Sequence, residues 1–318
     1  MRGADISVVL PAHGRAPFLR AAIGSILAEG CLELLVIDDR LGSEERALLS
    51  AIDDARLRVV PCAGVGLVAA LNTGMAEARG ELIARMDADD VSLPLRLGLQ
   101  QQQLESHPEL VAIGGQLRVI DETDRTVGVR RYPTDAHRVR RMLQQRNALA
   151  HPAAMYRRDA ARRAGGYRSG FPGAEDYDLW LRMLELGDIS NLDADVLAYR
   201  VHAGQITSQA SATVAESTYL AQWSARERKH GRPGTDLPWE AGAPEAPTSL
   251  RMRVVRWRIR TAARMYSKAR AATALRQWPT AVACGAAWAI LRPRYSLGLA
   301  LSLPRWLAVA TGVRPTHE

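Results

Sequence analysis

Short apolar runs alternate, along the first ninety positions, with longer stretches whose apolar residues recur every third or fourth place. Ile6 to Leu10 is a β-branched run that stops at Pro11-Ala12-His13-Gly14, and Phe18, Ala22, Ile26 and Leu27 then follow at helical spacing. A second run, Leu34 to Ile37, stops at Asp38-Asp39; a helical pattern covers residues 44–53, and Leu57 to Val60 is a third run. Gly64 and Gly66 open a helix through Leu67, Leu71 and Met75 that closes at Gly80. Ile83 and Met86 lie in a fourth run, which ends on Asp87, Asp89 and Asp90. The order is β-α-β-α-β-α-β, with small or polar residues where each strand finishes. That order predicts an α/β fold: a doubly wound, mostly parallel sheet with helices on both faces and a ligand crevice at the carboxyl ends of its strands.

Asp87 and Asp89 leave one strand end with their side chains on one side. Such a pair suits a hard divalent cation, Mg2+ or Mn2+, which takes one or two carboxylates together with substrate phosphates. Arg85, two residues before Asp87, falls on the same side of the strand; it either contacts phosphate oxygens or pairs with Asp87. Asp39 faces the same crevice. Further on, Gly173-Ala174 precedes Glu175-Asp176, and Tyr177, Trp180, Leu181 and Leu184 continue as an amphipathic helix with both acids in its first turn. The helix dipole keeps acids at such a position ionised, which is the state a general base needs. Strand-like segments are also expected from His151-Pro152 and over Asp195 to Ala198, the latter leading into Tyr199-Arg200-Val201-His202.

Five segments then carry a resemblance: Ser7-Val-Val-Leu-Pro-Ala-His13, Val36-Ile-Asp-Asp39, Gly66-Leu-Val-Ala-Ala-Leu-Asn72, Ala84-Arg-Met-Asp-Ala-Asp-Asp90 and Ala174-Glu-Asp-Tyr-Asp-Leu-Trp-Leu-Arg182. In this order and spacing, over about residues 5–205, they resemble family 2 glycosyltransferases of the GT-A fold, the kind that builds bacterial surface polysaccharides. The resemblance implies transfer of a sugar from a nucleotide diphosphate donor, with inversion and a divalent metal. It implies Asp39 as partner of the donor's base, a task a carboxylate performs by accepting a ring N–H such as that of uracil. It further implies Pro11 and His13 lining the base pocket, Asn72 on the nucleotide sugar, Asp87 near ribose and metal, Asp89 as direct metal ligand and His202 as a metal or diphosphate contact. Asp176 matches the family's base, and Glu175 an acceptor-orienting neighbour. Two departures stand out. Arg40-Leu41-Gly42-Ser43 replaces the usual small turn after Asp39, and Leu71 stands where many members carry an Arg, which puts the phosphate contacts in question; Arg85 is a candidate substitute or else the partner of Asp87.

Charge separates the remainder of the chain. Residues 250–318 hold 13 Lys or Arg against one acid, a net +12, so the whole-chain +8 leaves −4 for residues 1–249. Between the two, Pro233, Pro238, Pro244 and Pro247 mark a linker. The expected division is a catalytic domain over 1–210, a helix and Pro-rich linker over 211–249, and a basic amphipathic helical tail over 250–318. In that tail Met252, Val255, Ile259, Ala262 and Tyr266 form one stripe and Arg253, Arg256, Arg260, Arg264 and Lys268 another. With four tryptophans alongside and no uninterrupted run of spanning length, it suggests contact with an anionic membrane surface; the competing reading is a basic helix packed on the catalytic domain. No nucleic-acid motif accompanies the charge. Three cysteines at unrelated spacings argue against a disulfide framework, and the start of the chain lacks a signal-peptide pattern, so a cytoplasmic setting, peripheral to the inner membrane face, is expected.

The acceptor implied is a polysaccharide or lipid-linked glycan. A nucleotidyltransferase would also use a metal and a doubly wound sheet, but it requires a phosphate-cradling Gly-rich loop after the first strand, and Pro11-Ala12-His13-Gly14 is not one. A dehydrogenase is disfavoured by the absence of Gly-x-Gly-x-x-Gly there. A non-catalytic nucleotide-sugar-binding scaffold is opposed by intact Asp87, Asp89 and Asp176.

Overall fold

The computed structural model describes residues 5–202, 212–230 and 261. The chain divides into two compact units, and the sheet lies in the one built from Met1–Ser208 and Ala221–Ala241. The expected linker and, except for Thr261, the basic tail fall outside the described residues.

The four anticipated strands form in order: β1 (Ile6–His13), β2 (Glu33–Asp39), β3 (Leu57–Pro61) and β4 (Leu82–Arg85). They pair in parallel as β3-β2-β1-β4. Helices α1 (Leu19–Leu27), α2 (Ser43–Ser50) and α3 (Leu67–Glu77) connect them. The central strand is buried on both faces, as a parallel strand covered by crossover helices must be. Ile6, Val8 and Leu10 pack in one core with Leu19, Ile23 and Ile26 of α1. Val9 points the other way, against α3, where a Cβ on Gly74 would come within 2.3 Å of it. Gly74 therefore sets how closely α3 approaches the sheet. Below it, buried Glu33 accepts from Ser7 Oγ and from the Arg79 amide, both at 2.7 Å, while the Gly80 amide donates to Ser7 Oγ at 2.8 Å. This polar knot fixes the turn that feeds β4.

Beyond β4 the sheet changes direction. β8 (Met155–Arg157) pairs antiparallel with β4 and with β6 (Leu110–Ile120). β9 (Asp188–Arg200) runs parallel to β6, β5 (Val91–Ser92) pairs with β9, and β7 (Thr126–Arg130) forms a hairpin with β6. The sheet is thus mixed, with an all-parallel part made of β3-β2-β1-β4. Helices α4 (Arg96–Ser106), α5 (Ala136–Leu143), α6 (Arg158–Arg163), α7 (Glu175–Met183) and α8 (Ala212–Lys229) complete the described elements. The second half of α8 is tied down by Gln222, which donates to Gln145 O at 2.7 Å and lies 3.2 Å from the Tyr177 hydroxyl.

Three boundaries differ from the sequence reading. The segment from His151-Pro152 is a short 3-10 turn, His151–Ala153, before β8 begins, because Pro152 cannot donate to a ladder. The strand expected over four residues from Asp195 is the last part of a 13-residue strand, whose earlier positions alternate with polar residues too irregularly to show. α3 stops at Glu77, three residues before Gly80, as Ala78 turns to extended geometry.

Candidate functional site

The carboxyl ends of β1, β2 and β4 and the N-terminus of α7 carry the chemistry. β1 and β2 run in register, so His13 lies opposite Asp39. His13 Nδ1 is 3.1 Å from Asp39 Oδ2, and that oxygen accepts the Gly66 amide at 2.9 Å. Gly66 adopts φ +87, a conformation that costs glycine little. Asp39 Oδ1 is buried and has no hydrogen-bond partner among the described residues; the nearest cation is Arg40 Nε at 3.4 Å. An acceptor atom held in this way is what a base N–H requires. Asp38 turns aside to Arg46 and to the Leu41 amide. Pro11 closes the pattern on β1, half-buried opposite Ile37.

Past β4, ligand atoms of Asp87, Asp89 and Asp90 lie within 4.8 Å of one another. Burial raises the Asp87 carboxyl above its ordinary range against the pull of Arg85, with repulsion from Asp89 adding to the rise. Asp90 is raised well above its ordinary range by burial, then by Asp87 and Asp89. Its Oδ2 is buried without a hydrogen-bond partner among the described residues. Crowded, desolvated carboxylates of this kind call for a cation. An all-oxygen set with one imidazole at its rim fits Mg2+ or Mn2+. The imidazole is His202, whose Nε2 is 2.9 Å from Asp89 Oδ2. The sequence-predicted Asp87, Asp89 and His202 are therefore brought together, and Asp90 joins them.

Arg85 is 3% exposed and forms an ion pair with Asp87; its Nε has no hydrogen-bond partner among the described residues. Its charge also acts on Glu175, Asp176, His151 and Tyr167. Asp176 Oδ2 accepts from Asn147 Nδ2 at 2.8 Å, and Oδ1 accepts the Tyr177 amide at 2.6 Å. Burial raises the Asp176 carboxyl, while these two donors and Arg85 restrain the rise. Glu175 is pushed up to about 7, by burial first and by Asp176 second. Asp178, third acid of the same turn, is structural: it pairs with Arg182 at 2.7 Å and with Arg168.

Asn72 is engaged within the protein at both ends of its side-chain amide. Its Nδ2 donates to Tyr167 O and its Oδ1 accepts the Tyr167 amide, both at 2.9 Å, so both ends of the amide clasp backbone 95 positions away. Gly166, at φ +66, makes this approach feasible, since a Cβ there would meet Asn72 Oδ1 at 2.9 Å. The Tyr167 hydroxyl in turn lies 3.0 Å from His151 Nε2 and 3.2 Å from the Tyr156 hydroxyl. Burial holds His151 well below its ordinary range, helped by Arg85, and hence neutral. Leu71 is 1% exposed and belongs to the core. Asn147, Tyr156, Tyr167 and Asp90 had no role in the sequence reading; of these only Asp90, next to the acidic pair, carried a local signal.

Comparison with known proteins agrees with this geometry. The model described as Glycosyl transferase family 2 matches residues 7–165. The O-antigen biosynthesis glycosyltransferase WbnJ of Escherichia coli is 34% identical over 208 residues, which are 62% of this chain and 80% of that protein. The amylovoran biosynthesis glycosyltransferase AmsE of Erwinia amylovora is 36% identical over 141 residues, 44% of this chain and 52% of the relative, so only about half of AmsE is spanned. Among solved structures, S. aureus TarS 1-349 in complex with UDP-GlcNAc has a TM-score of 0.56 at 14% identity, covering 82% of this chain and 81% of that one. Mannosyltransferase PcManGT from Pyrobaculum calidifontis, in complex with GDP-Man and Mn2+, has a TM-score of 0.56 at 17% identity, covering 96% and 83%. These two likenesses concern the fold, which is the expected GT-A type. With the family match spanning half of the chain and a relative covered over most of its length, the chain is a glycosyltransferase and belongs to glycosyl transferase family 2.

Proposed function

We propose that the enzyme moves a sugar, with inversion, from a nucleotide diphosphate sugar to a hydroxyl of a polysaccharide or lipid-linked glycan. The observation that carries this reading is buried Arg85, ion-paired with Asp87, whose charge also acts to lower the carboxyls of Asp90, Glu175 and Asp176. Donor-type and base-type carboxylates thus both lie within reach of one guanidinium's charge. The relatives' names, which concern O-antigen and amylovoran biosynthesis, support a surface-polysaccharide acceptor. The ligands in the two solved neighbours support a nucleotide sugar donor.

In this reading Asp39, with its orphaned Oδ1, accepts an N–H of the base, uracil being favoured, and Pro11 and His13 line that pocket. Asp87, Asp89 and His202 hold a divalent metal, Mn2+ or Mg2+, and Asp90 shapes their loop from beneath. When bound, such an ion supplies positive charge for the diphosphate oxygens. Arg85 adds a second cation on that side, taking the place that the apolar Leu71 leaves open. Asp176 accepts the proton of the acceptor hydroxyl; the oxygen attacks the anomeric carbon, and the nucleoside diphosphate leaves with the electron pair of the broken C–O bond. Burial makes Asp176 a stronger base than an exposed aspartate, and Asn147 aims its Oδ2. Glu175, close to half protonated near neutrality, can both donate to and accept from acceptor hydroxyls. Asn72 acts by positioning Tyr167.

The test is calorimetric titration with UDP, GDP and dTDP, with and without Mn2+. Asp176→Asn should abolish transfer yet keep donor affinity, whereas Asp89→Ala should weaken metal-dependent donor binding. Equal loss of donor binding in both variants would refute the assignment of roles. A catalytic domain over 1–210 followed by a linker and a membrane-contacting basic tail remains part of the proposal, supported by the +12 of residues 250–318. No helix among the described residues is long and apolar enough to cross a membrane. Deleting residues 250–318 should reduce co-sedimentation with anionic liposomes, and unchanged sedimentation would remove the membrane contact from the reading.

A further inference from the structure

Arg200, the last residue of β9, is 1% exposed and bonded on several sides. Its amide donates to Asp90 Oδ1 at 2.8 Å, and its Nε donates to the backbone carbonyl of Asp89 at 2.8 Å. Nη1 donates to the carbonyl of Asp121 at 3.0 Å, and Nη2 pairs with Asp124 at 2.7 Å. Its guanidinium carbon stands 4.3 Å from the centre of the Phe18 ring, whose own centre is 5.6 Å from that of His202. One side chain therefore joins the acidic loop, the turn between β6 and β7, and the start of α1. Two positions later in the chain, His202 meets Asp89.

We propose that Arg200 is a positioning residue that preforms the acidic loop for its cation, an inference that rests on the metal-dependent reading above. The reasoning is geometric. The Asp89 carboxylate, partly buried, meets His202, and the Asp89 backbone carbonyl is held by Arg200. Asp90 accepts the Arg200 backbone amide, so residue 200 touches two of the three acids, Asp89 through its side chain and Asp90 through its backbone. The turn over 121–125 is rigid in its own right, because Asp121 Oδ1 accepts the amides of Thr123 and Arg125, and it anchors the far end of the guanidinium. The planar fork of arginine reaches several acceptors at once; a lysine retains the charge but loses the fork. Groups that orient metal ligands from outside are commonly worth 10- to 100-fold in metal affinity.

The experiment measures Mn2+ binding through the electron paramagnetic resonance signal of free Mn2+, in the presence of UDP, alongside urea unfolding and turnover at increasing Mn2+. Arg200→Lys should weaken Mn2+ binding about tenfold. Turnover should return toward the wild-type value once Mn2+ is raised to match, a rescue that a merely structural defect would not show. Phe18→Leu, which retains apolar bulk but removes the ring from both Arg200 and His202, should weaken binding about threefold and keeps the test open if the lysine variant does not fold. Asp124→Ala removes one contact of the buried guanidinium and leaves its bonds to Asp89 and Asp121, so it should weaken Mn2+ binding less than Arg200→Lys does. Wild-type Mn2+ affinity in folded Arg200→Lys and Phe18→Leu would overturn this proposal alone. A wild-type protein that binds no Mn2+ would overturn it together with the metal-dependent reading.

Discussion

Replacing Glu175 by glutamine should stabilise the protein, and more so as pH rises. The Glu175 carboxyl is raised from 4.5 to about 7 in the folded chain, chiefly by burial and then by Asp176, with backbone donors at Glu175 and Gly173 softening the effect. The folded state thus holds a proton that the unfolded chain releases first. For an acid shifted upward, stability is complete below the unfolded value and is lost progressively as pH climbs toward the folded one. At about 1.4 kcal/mol per unit, the whole shift is worth roughly 3 kcal/mol, and the part falling between about pH 5 and pH 8.5 is roughly 2.5 kcal/mol. Glutamine has nearly the same shape and does not ionise. Its packing difference is common to both pH values and cancels in the comparison. Urea unfolding of wild type and Glu175→Gln at about pH 5 and 8.5 should therefore show the variant gaining roughly 2.5 kcal/mol on wild type between them. A gap independent of pH, or one that narrows toward high pH, would refute the assignment of the shift to burial.

Other expectations follow from single contacts. Asn147→Ala removes the hydrogen bond to Asp176 Oδ2, a bond to a charged group worth about 1.5–3 kcal/mol, so kcat should fall about ten- to a hundredfold with donor affinity unchanged; stopped assays under saturating donor would check this. Gly80→Ala places a Cβ 2.5 Å from the Asp5 carbonyl and 2.6 Å from the Ser7 amide, both backbone atoms unable to swing away, and should cost about 3 kcal/mol in urea unfolding. Gly24→Ala, in the middle of α1 with open space around its Cα, should instead be neutral or gain up to about 1 kcal/mol, which makes it the control for Gly80.

The parts legible in the sequence are those in which local periodicity and local chemistry coincide. β1 to β4, the helices between them and the acids opening α7 follow from spacing alone, and Arg85 beside Asp87 follows from the two-residue period of a strand. The parts that were not legible depend on partners distant in the chain. Arg200 meets Asp89 across 111 positions and His202 meets it across 113, distances over which an isolated pattern carries no pairing information. Asn72 is instructive for the same reason: nothing near it in the chain shows that its amide clasps the backbone of Tyr167, 95 positions away. The antiparallel β8, only three residues long, offers too short a period to reveal that it separates the two halves of the sheet.

The clasp between Asn72 and Tyr167 bears on how such enzymes can be recombined. It sews the nucleotide half to the segment that carries His151, Tyr156 and, shortly after, α7, using two backbone hydrogen bonds rather than a side-chain pair. Its requirements are therefore asymmetric: any residue but proline, which lacks the N–H, serves this seam at 167, whereas an amide side chain at 72 and a glycine at 166 are what its geometry asks for. A hybrid that grafts residues 150–185 of a relative onto the β1–β4 half should keep its seam whenever the graft brings that glycine and a residue other than proline after it.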